Sequence, residues 1–189
     1  MNIAYDPASH EYRIDGVLVP HVTAILRDLL PGWDASEYHL ALGQANHACY
    51  AMLARGQEFD ADPECQPYVE AWRVWRAANK VEFSYIEQVV GSERYQYGGT
   101  LDFLATVGGR LVVGDYKATI TPATEWQLAA YALALEECEA MKINTGLAVE
   151  LRPGREARQV WYELRRAKQE WLALLTTWRI RRKCSVKEN

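Results

Sequence analysis

Short runs of alternating or clustered apolar residues separate stretches in which apolar residues recur at helical spacing, and this division predicts most of the elements. Residues 95–107 and 110–118 are rich in Leu, Val, Tyr and Phe, and the Gly108-Gly109 pair between them signals a tight antiparallel hairpin. A smaller hairpin is expected near the start, where Glu11 to Ile14 and Val17 to Val19 flank Asp15-Gly16. Helical spacing predicts a short helix over 22–30, with Thr23 near its start and Pro31-Gly32 halting it. A longer helix is predicted over 36–54, ended by Arg55-Gly56. A further helix over 67–80 carries Tyr68, Trp72 and Trp75 on one face as core residues, and a strand follows over 83–90. Beyond the central hairpin come a helix over 122–139, two strands over 145–151 and 159–164 around Pro153-Gly154, and a last helix over 166–183. The apolar face of that helix is Trp171, Leu174, Leu175 and Trp178. This order predicts an α/β domain with a central mixed sheet, as one unit over residues 1–189 with 1–32 as a hairpin-and-helix lead-in. No repeat, low-complexity tract or linker interrupts it.

Composition narrows the class. A chain of 189 residues with 49% hydrophobic residues can bury one substantial core. Cys49, Cys65, Cys138 and Cys184 lie far apart with no C-x-x-C spacing, so reduced thiols are expected rather than a zinc site or disulfide framework. The opening residues lack a basic segment followed by an apolar run, and no apolar stretch approaches the roughly 20 residues of a membrane helix. A cytoplasmic protein without a membrane partner is the expectation. The net charge of −4 conceals an asymmetry. From Lys142 onward there are 12 Lys or Arg against 5 Asp or Glu, and before it 9 against 20. A basic later part suits phosphates, while acidic residues earlier in the chain suit a cation.

The central hairpin carries the chemistry. With only two residues in the turn, Val107 faces Arg110, and continuing the register sets Asp102 opposite Asp115. Two carboxylates at the roughly 5 Å spacing of cross-strand neighbours repel, so the pair calls for a cation or a shifted pKa. Alternation puts Lys117 on the same face as Asp115 and turns Val112 and Tyr116 to the other. Hard divalent cations take carboxylate oxygens and water, and a lysine beside them supplies positive charge to an oxyanion or an attacking water. Downstream, Gln127 and Tyr131 stand at i and i+4 on one helix face, as do Gly43 and His47 on the earlier helix.

Taken in order, Gly43-x-x-x-His47, Gly99-x-x-Asp102, Asp115-x-Lys117 and Gln127-x-x-x-Tyr131 resemble the RecB-type branch of the PD-(D/E)XK nuclease superfamily. The resemblance spans roughly residues 40 to 135. His10-x-Tyr12 and Pro20-His21-Val22-Thr23 also resemble the lead-in of phage and prophage members, where a Ser stands at the position of His21. The resemblance implies a restriction-endonuclease-like core: a central mixed β-sheet flanked by helices. It also implies Asp102, Asp115, His47 and the backbone carbonyl of Tyr116 as metal ligands, with Glu87 a further acidic position for which Glu82 competes. Lys117 would be the catalytic lysine, and Gln127 and Tyr131 would brace the site and meet the DNA backbone. The expected cofactor is Mg2+ or Mn2+, as one or two ions, the imidazole suiting manganese as well as magnesium. Relatives with an iron-sulfur cluster use three clustered cysteines after the core. This chain has only Cys138 and Cys184 there, so no such cluster is expected. The expected activity is that of a metal-dependent DNA exonuclease of phage-type recombination or DNA processing, with DNA and a phage recombination or single-strand annealing protein as partners. The alternative is a nuclease-like accessory module that binds DNA without cutting it.

Overall fold

The two turn glycines take φ of +56° and +81°, the positive pair a type I′ hairpin needs. The computed structural model describes residues 1–30, 36–139 and 141–185. In chain order these form β1 (Ile3–Asp6), β2 (Glu11–Ile14), β3 (Val17–Val19), α1 (Val22–Leu29), α2 (Glu37–Ala54) and α3 (Gln66–Ala78). Then come β4 (Val81–Ser92), β5 (Tyr97–Val107), β6 (Arg110–Lys117), α4 (Ala123–Glu139), β7 (Thr145–Glu150), β8 (Arg158–Glu163) and α5 (Leu164–Ser185). The predicted elements are present, with ends displaced by a few residues; the Pro31-Gly32 stop lies outside the described residues. The lead-in differs: Ile3–Asp6 adds a third strand, pairing Ile3 with Ile14 and Tyr5 with Tyr12. Four residues alternating half-buried and exposed are too few to stand out as a pattern.

Five strands in the order β4-β5-β6-β7-β8 make the central sheet, antiparallel except for the parallel β6–β7 pair. That parallel pair needs a crossover, and α4 supplies it. The result is an α/β fold with a mixed sheet, consistent with a restriction-endonuclease-like core. One face is covered by α1, α4 and α5 over Leu104, Val113 and Ala148, with Trp171 fully buried against Tyr97. The other carries α2 and α3 over Phe103, Val112, Tyr116 and Val149, with Trp72 and Trp75 at its centre. Lys168 of α5 is buried, yet its ammonium meets Glu136 of α4 at 2.7 Å and donates to the Ile143 carbonyl at 2.6 Å. A buried charge is tolerable only with such partners, and these tie α5 to the segment entering β7. No helix among the described residues is long and apolar enough to cross a membrane.

Two details fix the frame around the hairpin. A Cβ on Gly114 would lie 1.9 Å from the Phe103 ring, which rests on this strand with no exposed surface. His21, rather than a serine, caps α1: its Nδ1 accepts from the Ala24 N–H at 3.3 Å and lies 2.9 Å from Thr23 Oγ1. Burial first, and then the neighbouring His10, push His21 down from 6.5 to about 4.

Gly114→Ala is expected to destabilise the fold by about 1–3 kcal/mol, read as a lower urea midpoint at unchanged slope. For His21 the folded value lies below the unfolded one, so its contribution is complete above pH 6.5 and is lost as pH falls toward 4. Protonation removes the Nδ1 acceptor and puts positive charge at a helix N-terminus. His21→Ser should keep a cap and flatten that loss, measured by urea unfolding at stepped pH; an identical pH profile would refute the assignment.

Candidate metal and catalytic site

Cross-strand pairing between β5 and β6 follows the predicted register from Val107↔Arg110 to Phe103↔Gly114 and ends there. Asp102 and Asp115 are the next positions, but the backbone ladder does not continue through them. The Tyr116 N–H instead donates to Asp102 Oδ2 at 2.6 Å. A side-chain carboxylate replaces a main-chain carbonyl at the point where the two strands part. The other oxygen, Oδ1, lies 3.0 Å from Nδ1 of His47, carried in by α2. That helix starts at Ser36, whose side chain accepts from the His39 N–H, and seats Tyr50 against Tyr116 one turn beyond His47.

Glu87 arrives from β4. Its neighbours pair as Ile86↔Phe103 and Gln88↔Leu101, which brings Glu87 across from Asp102. Its φ of +51° is a left-handed conformation that a non-glycine residue adopts only against a cost of about 1–3 kcal/mol. Single ligand atoms of His47, Glu87 and Asp102 lie within 4.8 Å of one another, close enough to hold one metal ion. Glu82 is exposed and pairs with Thr106 toward the other end of the strand, away from this group.

Asp115 is fully buried, and its Oδ2 lies 2.5 Å from Lys117 Nζ while lacking any well-aligned hydrogen bond among the described residues. Lys117 donates to Gln127 Oε1 at 3.0 Å, and Gln127 Nε2 donates to the Tyr131 hydroxyl at 3.1 Å. The predicted i, i+4 pair on α4 is therefore a buried relay from the lysine into the helix. Gly99 makes room for it, since a Cβ there would lie 2.7 Å from the Tyr131 ring.

These groups shift one another's protonation. Burial raises Asp115 and Glu87, each to about 7, and the Asp102 charge adds to both. Asp102 goes the other way: burial is outweighed by His47, and its carboxyl is held low. Burial also works against a charged His47, but Asp102 and then Asp115 raise it to about 9. Crowded carboxylates that keep protons near neutral pH are a donor set short of positive charge.

One carboxylate the sequence pattern did not single out is Glu150. It pairs with Lys117 in the parallel register and is buried. Parallel pairing across a crossover leaves no local signal, which is why spacing alone did not reveal it.

A five-stranded mixed sheet presenting two aspartates and a lysine beside a histidine and a glutamate defines the class of metal-using phosphodiesterases with this fold. The sequence matches the family described as the PD-(D/E)XK nuclease superfamily over residues 20–183, and the chain belongs to that superfamily. A search of curated proteins finds no significant match.

Asp102→Asn should lower the His47 pKa from about 9, because the first charge opposing its burial is gone. Histidine ring resonances followed by NMR through a pH titration in EDTA check this; an unmoved midpoint would refute the coupling.

Proposed function

We propose that the protein is a metal-dependent DNA nuclease that removes nucleotides from strand ends. The observation that carries the reading is the convergence of His47, Glu87 and Asp102 beside the Asp115–Lys117 pair. Membership of a nuclease superfamily whose members use divalent ions supports it. The order of motifs, similar to RecB-type and phage enzymes, supports action at ends in recombination or DNA processing.

The donor set fits a hard divalent ion. Asp102, Glu87 and His47 would hold it, with Asp115 Oδ2 a buried oxygen short of hydrogen bonds at its side. A strand residue directs its N–H and C=O to the same neighbour, so the Tyr116 carbonyl faces the side where pairing with β5 has ended. This favours it as a further ligand. Oxygen ligands with one imidazole suit Mg2+ or Mn2+. When bound, such an ion supplies Lewis acidity at a phosphoryl oxygen.

The chain's own residues supply the rest. Lys117 has three N–H donors: Gln127 takes one, and the Asp115 carboxylate lies in ion-pair contact with the same ammonium. A remaining donor would be free for a phosphate oxygen or the attacking water. The Gln127–Tyr131 relay fixes the ammonium in one position, so charge developing on the phosphate meets a donor already oriented. Lys117→Ala should therefore fold and bind DNA while cleaving about 100- to 1000-fold more slowly. The test is digestion of end-labelled linear DNA beside a closed circle, with Mg2+, Mn2+ or EDTA. Loss of linear DNA alone, metal-dependent and suppressed in the variant, is expected. Equal cutting of the circle would overturn the end requirement, and near-normal cleavage by the variant would overturn the role of Lys117.

A further inference from the structure

The β7–β8 hairpin rises from the sheet beside Lys117 and carries Arg152, Arg155 and Arg158 within seven residues. Its turn is closed by an Arg155 N–H to Arg152 carbonyl bond at 3.3 Å. Pro153 and a positive-φ Gly154 stand at its centre, the arrangement of a type II turn. Beneath it, Glu150 is buried and shares the Lys117 face of the sheet. Its Oε2 accepts from the Ile120 N–H at 2.9 Å and lies 3.6 Å from Arg158 Nη1; its Oε1 meets Arg152 Nε at 2.9 Å. Arg152 also donates from Nε to the Ala118 carbonyl at 3.1 Å and from Nη2 to Thr119 Oγ1 at 3.4 Å, on the segment directly after Lys117.

This arrangement does more than neutralise a buried acid. Two guanidinium groups share one carboxylate, so a positive charge remains in excess. Arg152 Nη1 and the Nε and Nη2 of Arg158 take no partner among the described residues, and both side chains are substantially exposed. Glu150 and the segment after Lys117 thus hold the Arg152 fork in place, and Glu150 draws Arg158 toward it from 3.6 Å, with the free edges of both forks open. Such forks match the oxygens of a phosphate, and fixing them beforehand reduces the entropy lost on binding.

We propose that Arg152, fixed by Glu150, and Arg158 beside it form a clamp for a phosphate of the DNA strand that lies over Lys117. The proposal rests on the reading of the Lys117 site as one that acts on DNA. The clamp would set the strand's register against the lysine, and being a contact to phosphate it would carry no base preference.

The test is equilibrium binding of short DNA in EDTA across a range of salt, with wild type, Arg152→Ala/Arg158→Ala and Arg158→Ala alone. Arg158 is exposed and its contact with Glu150 is long, so the single variant leaves the fold intact even where the double variant does not. Arg110→Ala, at the opposite end of β6, serves as control. The salt slope should fall by about one per arginine removed, with about a tenfold weaker complex for the double variant and no change for the control. Equal losses on strands with and without a terminal phosphate assign a backbone phosphate, and loss confined to phosphorylated ends assigns a terminal one. A wild-type slope and affinity in folded Arg158→Ala would overturn the clamp, even where cleavage by the wild type upholds the nuclease. Wild-type binding that needs these arginines, without cleavage in Mg2+ or Mn2+, would uphold the clamp and overturn the nuclease. No DNA binding by the wild type would overturn both.

Discussion

The acceptance of one backbone N–H by one carboxylate organises the site. Where β5 and β6 would continue to pair, Asp102 takes the Tyr116 N–H, and the ladder ends without leaving a buried donor unsatisfied. A sheet opened at this point by any apolar residue would carry the full cost of that orphaned group. Because Asp102 closes the gap, His47 can reach its second oxygen and Glu87 can stand across from it. The same residue is structural and chemical, which constrains replacements severely. Asparagine preserves an acceptor but not the charge that holds His47.

Much of the architecture was legible because it rests on local rules. The Gly108-Gly109 turn fixed the register through which Asp102 and Asp115 become neighbours, and helical spacing placed His47, Gln127 and Tyr131 on the faces they occupy. Two kinds of feature escaped. Short or capped segments depend on tertiary partners: β1 is a strand because β2 pairs with it, and His21 does the work of a serine because its Nδ1 takes the Ala24 N–H, burial keeping it neutral to lower pH. Contacts across the parallel pair, such as Lys117 with Glu150, depend on how a crossover docks, and no neighbouring residues encode that. Glu87 fell between these cases. It was a named candidate beside Glu82, but the left-handed backbone that brings it to Asp102 has no pattern in the sequence.

The polar chain from Asp115 through Lys117 and Gln127 to Tyr131 carries its own tension. Each member is largely enclosed, and each bond satisfies the next, so the chain is rigid when complete and costly when broken. Asp115 keeps an oxygen short of hydrogen bonds. An apolar replacement there would remove that deficit and, with it, the carboxylate that stands against the Lys117 ammonium.

His47 belongs to the helical layer on one face of the sheet, Gln127 and Tyr131 to the layer on the other, and they meet only where β5 and β6 part. The site is therefore an AND gate for folding. Neither layer alone carries the whole set: α2 brings His47 to Asp102, and α4 brings Gln127 and Tyr131 to Lys117. In this member of a nuclease superfamily, the full set of side chains is therefore brought together only by the completed fold.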